Sequence, residues 1–454
     1  MQTTELRDKN VVVLGLGRSG MAAASLLQRD GARVVVRDEA DGQELENRAQ
    51  QLRELGVRVE LGNHFDASAR FDLAVLSPGI APQRPLVTEL VTKKTPVLSE
   101  LELAYRFCLC PIIAVTGTNG KTTTTELIAS VLEGCGKRTV AAGNNGHAFS
   151  EAVQGSAGLD ALVLEASSFQ LEQIDQFHPR VAVWTNLTPD HLDRHGSIEN
   201  YAQAKARIFM NQTRDDFAIL SVQALQWLQR IGCDIHSRII TVSAYGQDAD
   251  LRLDWADGQT IWSRWPDCQG ILMKFQETNL RGLHNAENVL ATLATGLVMD
   301  LTVAEMREAI CSFCPQPHRC EFVAEVGGVT YINDSKATNV DAVGKALRAL
   351  TGRAVLIAGG RDKGLDYSTI KEVVAEKVRL AVVIGEAQDK LCRAWGDVVT
   401  CVRAFSMAEA VGVAARHAHR GDTVLLSPAC ASFDMFENYE HRGDEFKRQV
   451  FDLR

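Results

Sequence analysis

The chain has 454 residues, of which 46% are hydrophobic and 23% charged, with a formal net charge of −9. That length calls for more than one domain, and the balance excludes a chain disordered throughout. The acidic total argues against nucleic acid or an anionic membrane as partner, no apolar run approaches the roughly 18 residues of a membrane helix, and the polar first ten residues carry no secretion signal, so a cytoplasmic protein is expected.

In chain order, a short apolar run at 11–14 ends in glycines and predicts a buried parallel strand. Ser19 is placed to cap a helix over 22–27 that Gly31 stops, and further strands are predicted at 33–36, from 56 to 59, and at 73–76. This first α/β unit ends near residues 96–98. A second begins with a strand at 112–115 and a helix over 124–132, followed by strands at 161–164 and 181–184 and a helix at 198–210. Residues 241–280 are turn-rich and predict a small β excursion, with helices resuming at 286–298 and 303–311. Pro315-Gln316-Pro317 reads as a linker. Strands at 329–332, 354–358, 381–384 and 423–426 then alternate with helices in a third unit. The eleven cysteines are irregularly spaced and read as reduced thiols. Cys108/Cys110 and Cys311/Cys314/Cys320 stand close together; buried small side chains are the plain reading of both, a metal or redox role the alternative.

Two glycine loops carry chemistry. Gly15-Leu16-Gly17-Arg18-Ser19-Gly20 lies between strand and helix, with Asp38 closing the next strand. Glycines let the backbone approach a diphosphate, the helix N-terminus offers N–H groups, and the acid sits where a ribose would be bound. Taken alone this pattern also fits an NAD-dependent oxidoreductase. Thr116-Gly117-Thr118-Asn119-Gly120-Lys121-Thr122-Thr123 also joins strand to helix. There Lys121 suits the β- and γ-phosphates of ATP and the Thr122 hydroxyl a Mg²⁺, although Val115 stands where a strict P-loop has glycine.

The shortened loop resembles that of the Mur ligases of peptidoglycan assembly. Several segments match that family in order: residues 164–170 (LEASSFQ), residues 186–193 (NLTPDHLD), His284-Asn285 with Asn288, and Pro317-His318-Arg319 with Glu321. Residues 333–339 (NDSKATN) and 427–434 (SPACASFD) look like the D-glutamate-adding branch. The resemblance spans the whole chain. It implies three α/β domains: an N-terminal Rossmann-like uridine-nucleotide domain (1–99), a central P-loop ATPase-like parallel-sheet domain (100–315) and a C-terminal Rossmann-like domain (316–454). The implied activity is an ATP-dependent, ADP-forming amide ligase that joins D-glutamate to UDP-N-acetylmuramoyl-L-alanine through an acyl phosphate. Another amino-acid-adding ligase of the family is the alternative.

The resemblance also implies roles. Gly17, Arg18, Ser19, Asp38, Ser77, Gly79 and Asn144 would hold the uridine-diphosphate substrate. Gly117, Thr118, Asn119, Gly120, Lys121, Thr122, Thr123, Asn285, Asn288, Arg319, Asp334 and Lys336 would hold ATP, the last three closing onto it from the third domain about a hinge near the linker. Two Mg²⁺ sites would use Thr122, Glu165, His191 and Lys205, and Lys121, His191 and Lys205 are the catalytic candidates. Spacing alone points to Asp190 or Asp193 rather than His191, because Mg²⁺ prefers oxygen. Lys205, by its helix position a surface charge, would be carbamylated by CO₂ to give a carboxylate. Thr338, Lys363, Ser432 and Tyr439 would bind D-glutamate. The partners are small molecules, and a monomer is expected.

Overall fold

The computed structural model describes residues 6–62, 69–81, 83–144, 147–254, 259–266, 268–314, 317–350 and 352–453, and leaves out the side chains of Asp193, Asp341 and Ala349. Most of the proposed linker, Pro315 and Gln316, lies outside the described residues. The chain divides into two compact units, Met1–Phe313 and Cys314–Arg454.

The first unit carries two sheets. In the first, β1 (Asn10–Leu14), β2 (Arg33–Asp38), β3 (Arg58–Leu61), β4 (Leu73–Leu76) and β5 (Val97–Ser99) run parallel in the order β3-β2-β1-β4-β5. The apolar runs form these strands because both sheet faces are covered: Val11 and Val13 pack with Ala23, Leu27 and Leu52, and Val12 and Leu14 with Val87 and Leu90. Strand order reverses between β1 and β4, so the loop after β1 and Ser77-Pro78-Gly79 after β4 open a crevice at the carboxyl edge, where such sheets bind ligands.

The second sheet comprises β6 (Ile112–Thr116), β7 (Thr139–Gly143), β8 (Ala161–Glu165), β9 (Val181–Trp184), β10 (Phe217–Ser221), β11 (Arg238–Ser243), β12 (Leu251–Asp254), β13 (Thr260–Trp265) and β14 (Cys268–Lys274). Its order is β14-β13-β12-β11-β10-β9-β6-β8-β7, parallel except where β13 and β14 fold back as antiparallel ribbons. The predicted β excursion is therefore an extension of this sheet. β6 lies between β8 and β9 with Val115 beside Glu165 and Thr116 beside Trp184, which brings three loops to one edge.

The second unit contains β15 (Glu321–Val326), β16 (Val329–Asn333), β17 (Ala354–Gly359), β18 (Val378–Ile384), β19 (Thr400–Arg403) and β20 (Thr423–Leu426), ordered β15-β16-β20-β17-β18-β19. Only β15 is antiparallel. The carboxyl ends of β16, β20 and β17 are neighbours, so the loops from Asn333, Leu426 and Gly359 meet.

Two local expectations need correction. The first helix runs Arg18–Arg29 with Gly17 as its N-cap and no side-chain cap, so Ser19 lies inside the first turn. The glycine loop enters the helix directly, which leaves backbone N–H groups of that turn for a ligand. The helix predicted over 198–210 is α-helical only over Ile198–Ala206 and tightens into a 3₁₀ turn, Arg207–Phe209. Among the described residues no helix is long and apolar enough to cross a membrane.

Candidate functional site

In the first sheet, Asp38 turns back on the glycine loop. One carboxylate oxygen accepts from the Leu16 N–H at 2.7 Å, the other from the Ala40 N–H at 3.0 Å. The Ser77 hydroxyl donates to the Gly15 carbonyl at 3.2 Å. Gly20 packs so closely that a Cβ there would lie 1.9 Å from the Gly15 oxygen, which excludes any other residue. Gly17, Ser19 and Gly79 line the same edge, and Arg18 is exposed. Asn144, expected at the sugar-peptide end of that substrate, follows β7 of the central sheet.

The central loop is braced from the neighbouring strand. Asn186 accepts from the Asn119 N–H at 2.9 Å and returns its amide to the Asn119 carbonyl at 3.0 Å, while the Thr185 hydroxyl donates to that carbonyl at 2.7 Å. Gly117 has φ +148°, and a Cβ would come within 2.0 Å of the Thr185 hydroxyl. Thr118 donates to the Thr188 carbonyl and also meets the Tyr201 hydroxyl. Lys121 and Thr122 open the helix Lys121–Gly134, with Thr123 in the same turn. The Lys121 ammonium donates to the carbonyls of Gly117 (3.1 Å) and Thr118 (2.9 Å). At the end of β8, Glu165 is buried; it accepts from the Thr122 hydroxyl at 2.8 Å and from the Asn144 amide at 2.9 Å. Asn288 accepts from Thr124 at 3.0 Å and donates to Asn285 at 3.1 Å, placing both asparagines against the loop helix.

His191 has a left-handed backbone, φ +52°, unusual for a residue with a side chain and costing about 1 kcal/mol. Its ring lies 4.9 Å from Phe169, beside Asp190 at 3.7 Å. The side chain of Asp193 lies outside the described residues. Lys205 is not the surface charge its helix position suggests: it is 1% exposed, its ammonium donates to the Gly117 carbonyl at 2.7 Å, and it lies 4.5 Å from the centre of the Tyr201 ring. Its helix turns this face onto the phosphate loop.

Arg194 was not among the sequence candidates. It forks onto Glu172 at 2.6 and 3.2 Å, lies 4.1 Å above the Phe169 ring, and donates to the Pro78 carbonyl at 3.0 Å. One guanidinium thus ties the segments after β8 and β9 to the segment after β4. Its place in the DHLDR run was the available signal.

In the second unit, Asp334 is buried at the end of β16. It accepts from the Ser427 hydroxyl at 2.8 Å and the Cys320 N–H at 3.2 Å. Burial pushes its acid up to about 6 in spite of those bonds. The folded protein therefore holds this proton more tightly than the unfolded chain, and stability falls as pH rises from the ordinary 3.8 to about 6. Asp334→Asn is expected to raise stability near pH 8 by on the order of 3 kcal/mol and to change it little at about pH 4, read by denaturant unfolding at both values.

Lys336 lies 5.5 Å from the Tyr439 ring centre, and Arg319 stands between His318 and Cys320, both at positive φ. Lys363 donates to the Thr338 carbonyl at 3.3 Å, bringing two of the amino-acid candidates together. The Ser432 hydroxyl is buried and finds no hydrogen-bond partner among the described residues. The buried Arg442 was also missed. Its guanidinium donates to the Ser335 hydroxyl (2.9 Å) and carbonyl (2.8 Å) and to the carbonyls of Cys430 (3.1 Å) and Ala431 (3.3 Å). The Ala431 carbonyl also accepts from the Arg361 N–H, so the loops bearing Thr338, Lys363 and Ser432 meet at one side chain carried on the helix of Tyr439. Arg442→Ala should cost on the order of 3–4 kcal/mol, measured by denaturant unfolding, because several charge-assisted bonds are lost and buried carbonyls are left bare.

A crevice-edged parallel sheet, a P-loop-like ATP cradle and a third α/β domain define the class: a three-domain nucleotide-dependent ligase architecture. Family models agree segment by segment: Mur ligase MurD-like, N-terminal domain over residues 9–99, Mur ligase middle domain over 115–296, and Mur ligase, glutamate ligase domain over 318–430. The UDP-N-acetylmuramoylalanine--D-glutamate ligase of Geotalea uraniireducens is 41% identical over 99% of this chain and 98% of its own. That of Chloroherpeton thalassium is 40% identical over the full length of both. The chain belongs to the Mur ligase family. Solved structures share the fold: the UDP-N-acetylmuramate-alanine ligase MurC of Thermotoga maritima has a TM-score of 0.55 at 18% identity, covering 98% of this chain and all of that one. MurF of Acinetobacter baumannii has a TM-score of 0.56 at 16% identity, over 98% and 93%.

Proposed function

We propose that this protein uses ATP to join D-glutamate to UDP-N-acetylmuramoyl-L-alanine, releasing ADP and phosphate, in peptidoglycan precursor synthesis. The observation that carries the reading is the meeting, at one sheet edge, of the phosphate loop, Glu165 and the segment from Thr185 to His191, joined by Arg194 to the segment after β4. Relatives that match end to end under that name support it.

The chemistry asks for a carboxylate to be turned into an acyl phosphate and then attacked by an amine. Every participant is anionic, so positioning and local positive charge carry the catalysis. Lys121 holds the γ-phosphate as it leaves ADP, with the loop N–H groups around it. Gly17, Arg18, Ser19, Asp38, Ser77 and Gly79 hold the uridine diphosphate, and Asn144 the sugar-peptide end. Asn285 and Asn288 serve the adenine side, and Arg319, Asp334 and Lys336 the remainder of ATP. Thr338, Lys363, Ser432 and Tyr439 bind D-glutamate, the lysine pairing with a carboxylate and Ser432 finding its missing partner.

The hydroxyl of Thr122 and the carboxylate of Glu165, already in contact, are an oxygen set of the kind Mg²⁺ takes together with phosphate oxygens. His191 and a carbamylated Lys205 would serve a second ion. Mg²⁺ supplies neutralisation of the phosphate charge. The domains are 1–99, 100–315 and 316–454, and the enzyme works as a cytoplasmic monomer.

The test is phosphate release from ATP with UDP-N-acetylmuramoyl-L-alanine, offering D-glutamate, L-glutamate, L-alanine, L-lysine or meso-diaminopimelate. Release with D-glutamate alone is expected. Release with another of these transfers the protein to a different branch of the family, and release independent of any amino acid overturns the ligase reading.

A further inference from the structure

Cys108 and Cys110 lie in the turn between the helix Glu100–Tyr105 and β6, away from the residues described above. Their sulfurs are 3.8 Å apart. Both cysteines line an open cavity of about 490 Å³, with Arg106, His178, Arg180 and Asp216; Cys108 is half-buried and Cys110 buried. We propose that this pair is a peroxide-reactive dithiol, in which Cys108 is the attacking sulfur and Cys110 the resolving one. The proposal is independent of the ligase reading.

Three features support the order of events. Cys108 is the more exposed of the two residues at the cavity. The contact between the two sulfurs, with the Ser156 hydroxyl and the Leu109 N–H, brings the Cys108 thiol down to about 7, while that contact and burial raise Cys110. Two arginines line the same cavity, each with an acidic neighbour, Glu102 for Arg106 and Asp216 for Arg180. The Cys108 thiolate attacks a peroxide oxygen; the O–O bond breaks, an S–O bond forms, sulfur loses two electrons and the peroxide leaves as alkoxide or hydroxide. Cys110 then attacks the Cys108 sulfur, an S–S bond replaces the S–O bond, and the departing hydroxide takes the Cys110 proton as water. The sulfurs need to close from 3.8 Å to about 2.05 Å, a side-chain rotation within one turn.

Trypsin provides a direct reading, because residues 107–121 form one peptide holding these two cysteines and no others. After hydrogen peroxide treatment of the full-length protein, that peptide should be lighter by two hydrogens under non-reducing conditions and regain them with dithiothreitol. In Cys110→Ser a cyclic diketone should trap a sulfenic acid at Cys108, and in Cys108→Ser labelling of Cys110 should be at least about tenfold slower. A wild-type peptide that keeps both thiols, or equal labelling in the two variants, overturns the proposal. Should either variant fail to fold, iodoacetamide alkylation of the native wild type mapped on the same peptide decides. Cys108 reacting about tenfold faster than Cys110 at neutral pH supports the assignment, and equal rates overturn it.

Discussion

Replacing Lys121 with alanine is expected to cut the rate of ATP-dependent ligation about a thousandfold while leaving the fold intact. The ammonium heads the helix Lys121–Gly134 and hydrogen-bonds the carbonyls of Gly117 and Thr118. Other bonds brace the same loop, from Thr185 and Asn186 to the Asn119 carbonyl, so removing the side chain leaves the loop standing. On the proposed mechanism, what is lost is the positive charge that meets the migrating phosphoryl group. Arginine should not substitute, since its planar fork is larger and cannot act as a compact point charge. Phosphate release at saturating ATP is the measurement, with thermal unfolding as the control. A rate within about tenfold of wild type would remove Lys121 from the mechanism.

A comparable loss is expected for Lys205→Ala, with a different signature. Lys205 lies in the interior, its nitrogen 2.7 Å from the Gly117 carbonyl and therefore beside the phosphate loop. An amine in that place can combine with CO₂, forming an N–C bond and releasing a proton, to set a carboxylate close to the triphosphate. Truncation should lower the rate by about a hundredfold to a thousandfold. Formate, acetate or propionate in the vacated space should restore part of it, and chloride should not. Loss without any restoration would mean that the lysine acts as a cation, and undiminished activity would dismiss the residue altogether.

The chemistry of the first two sheets was largely legible in one dimension. Apolar runs ending in glycine-rich loops mark parallel strands whose carboxyl ends carry ligands, and strands such as Leu73–Leu76, Val181–Trp184 and Thr423–Leu426 fell where the apolar runs predict. Not every strand was predicted: Phe217–Ser221 is a buried apolar run outside the predicted set, and others lack that contrast. Thr139–Gly143 is rich in alanine and glycine, and Thr400–Arg403 is a half-exposed edge. Glu321–Val326 belongs to a hairpin closed by Gly327-Gly328, a turn signal that was available and not used.

Polar residues divide more sharply. Sequence by itself determined the alternation of strand and helix and the two glycine loops that join strand to helix, because backbone geometry and glycine placement are local properties. Only the tertiary structure decided that Lys205 is interior, that Asn144 faces Glu165, and that Arg194 and Arg442 each gather loops far apart in the chain. It also decided that Cys108 and Cys110 stand sulfur to sulfur. A charged or sulfur-bearing side chain acquires its role from what encloses it, and burial, partner and dielectric are set by segments remote in sequence.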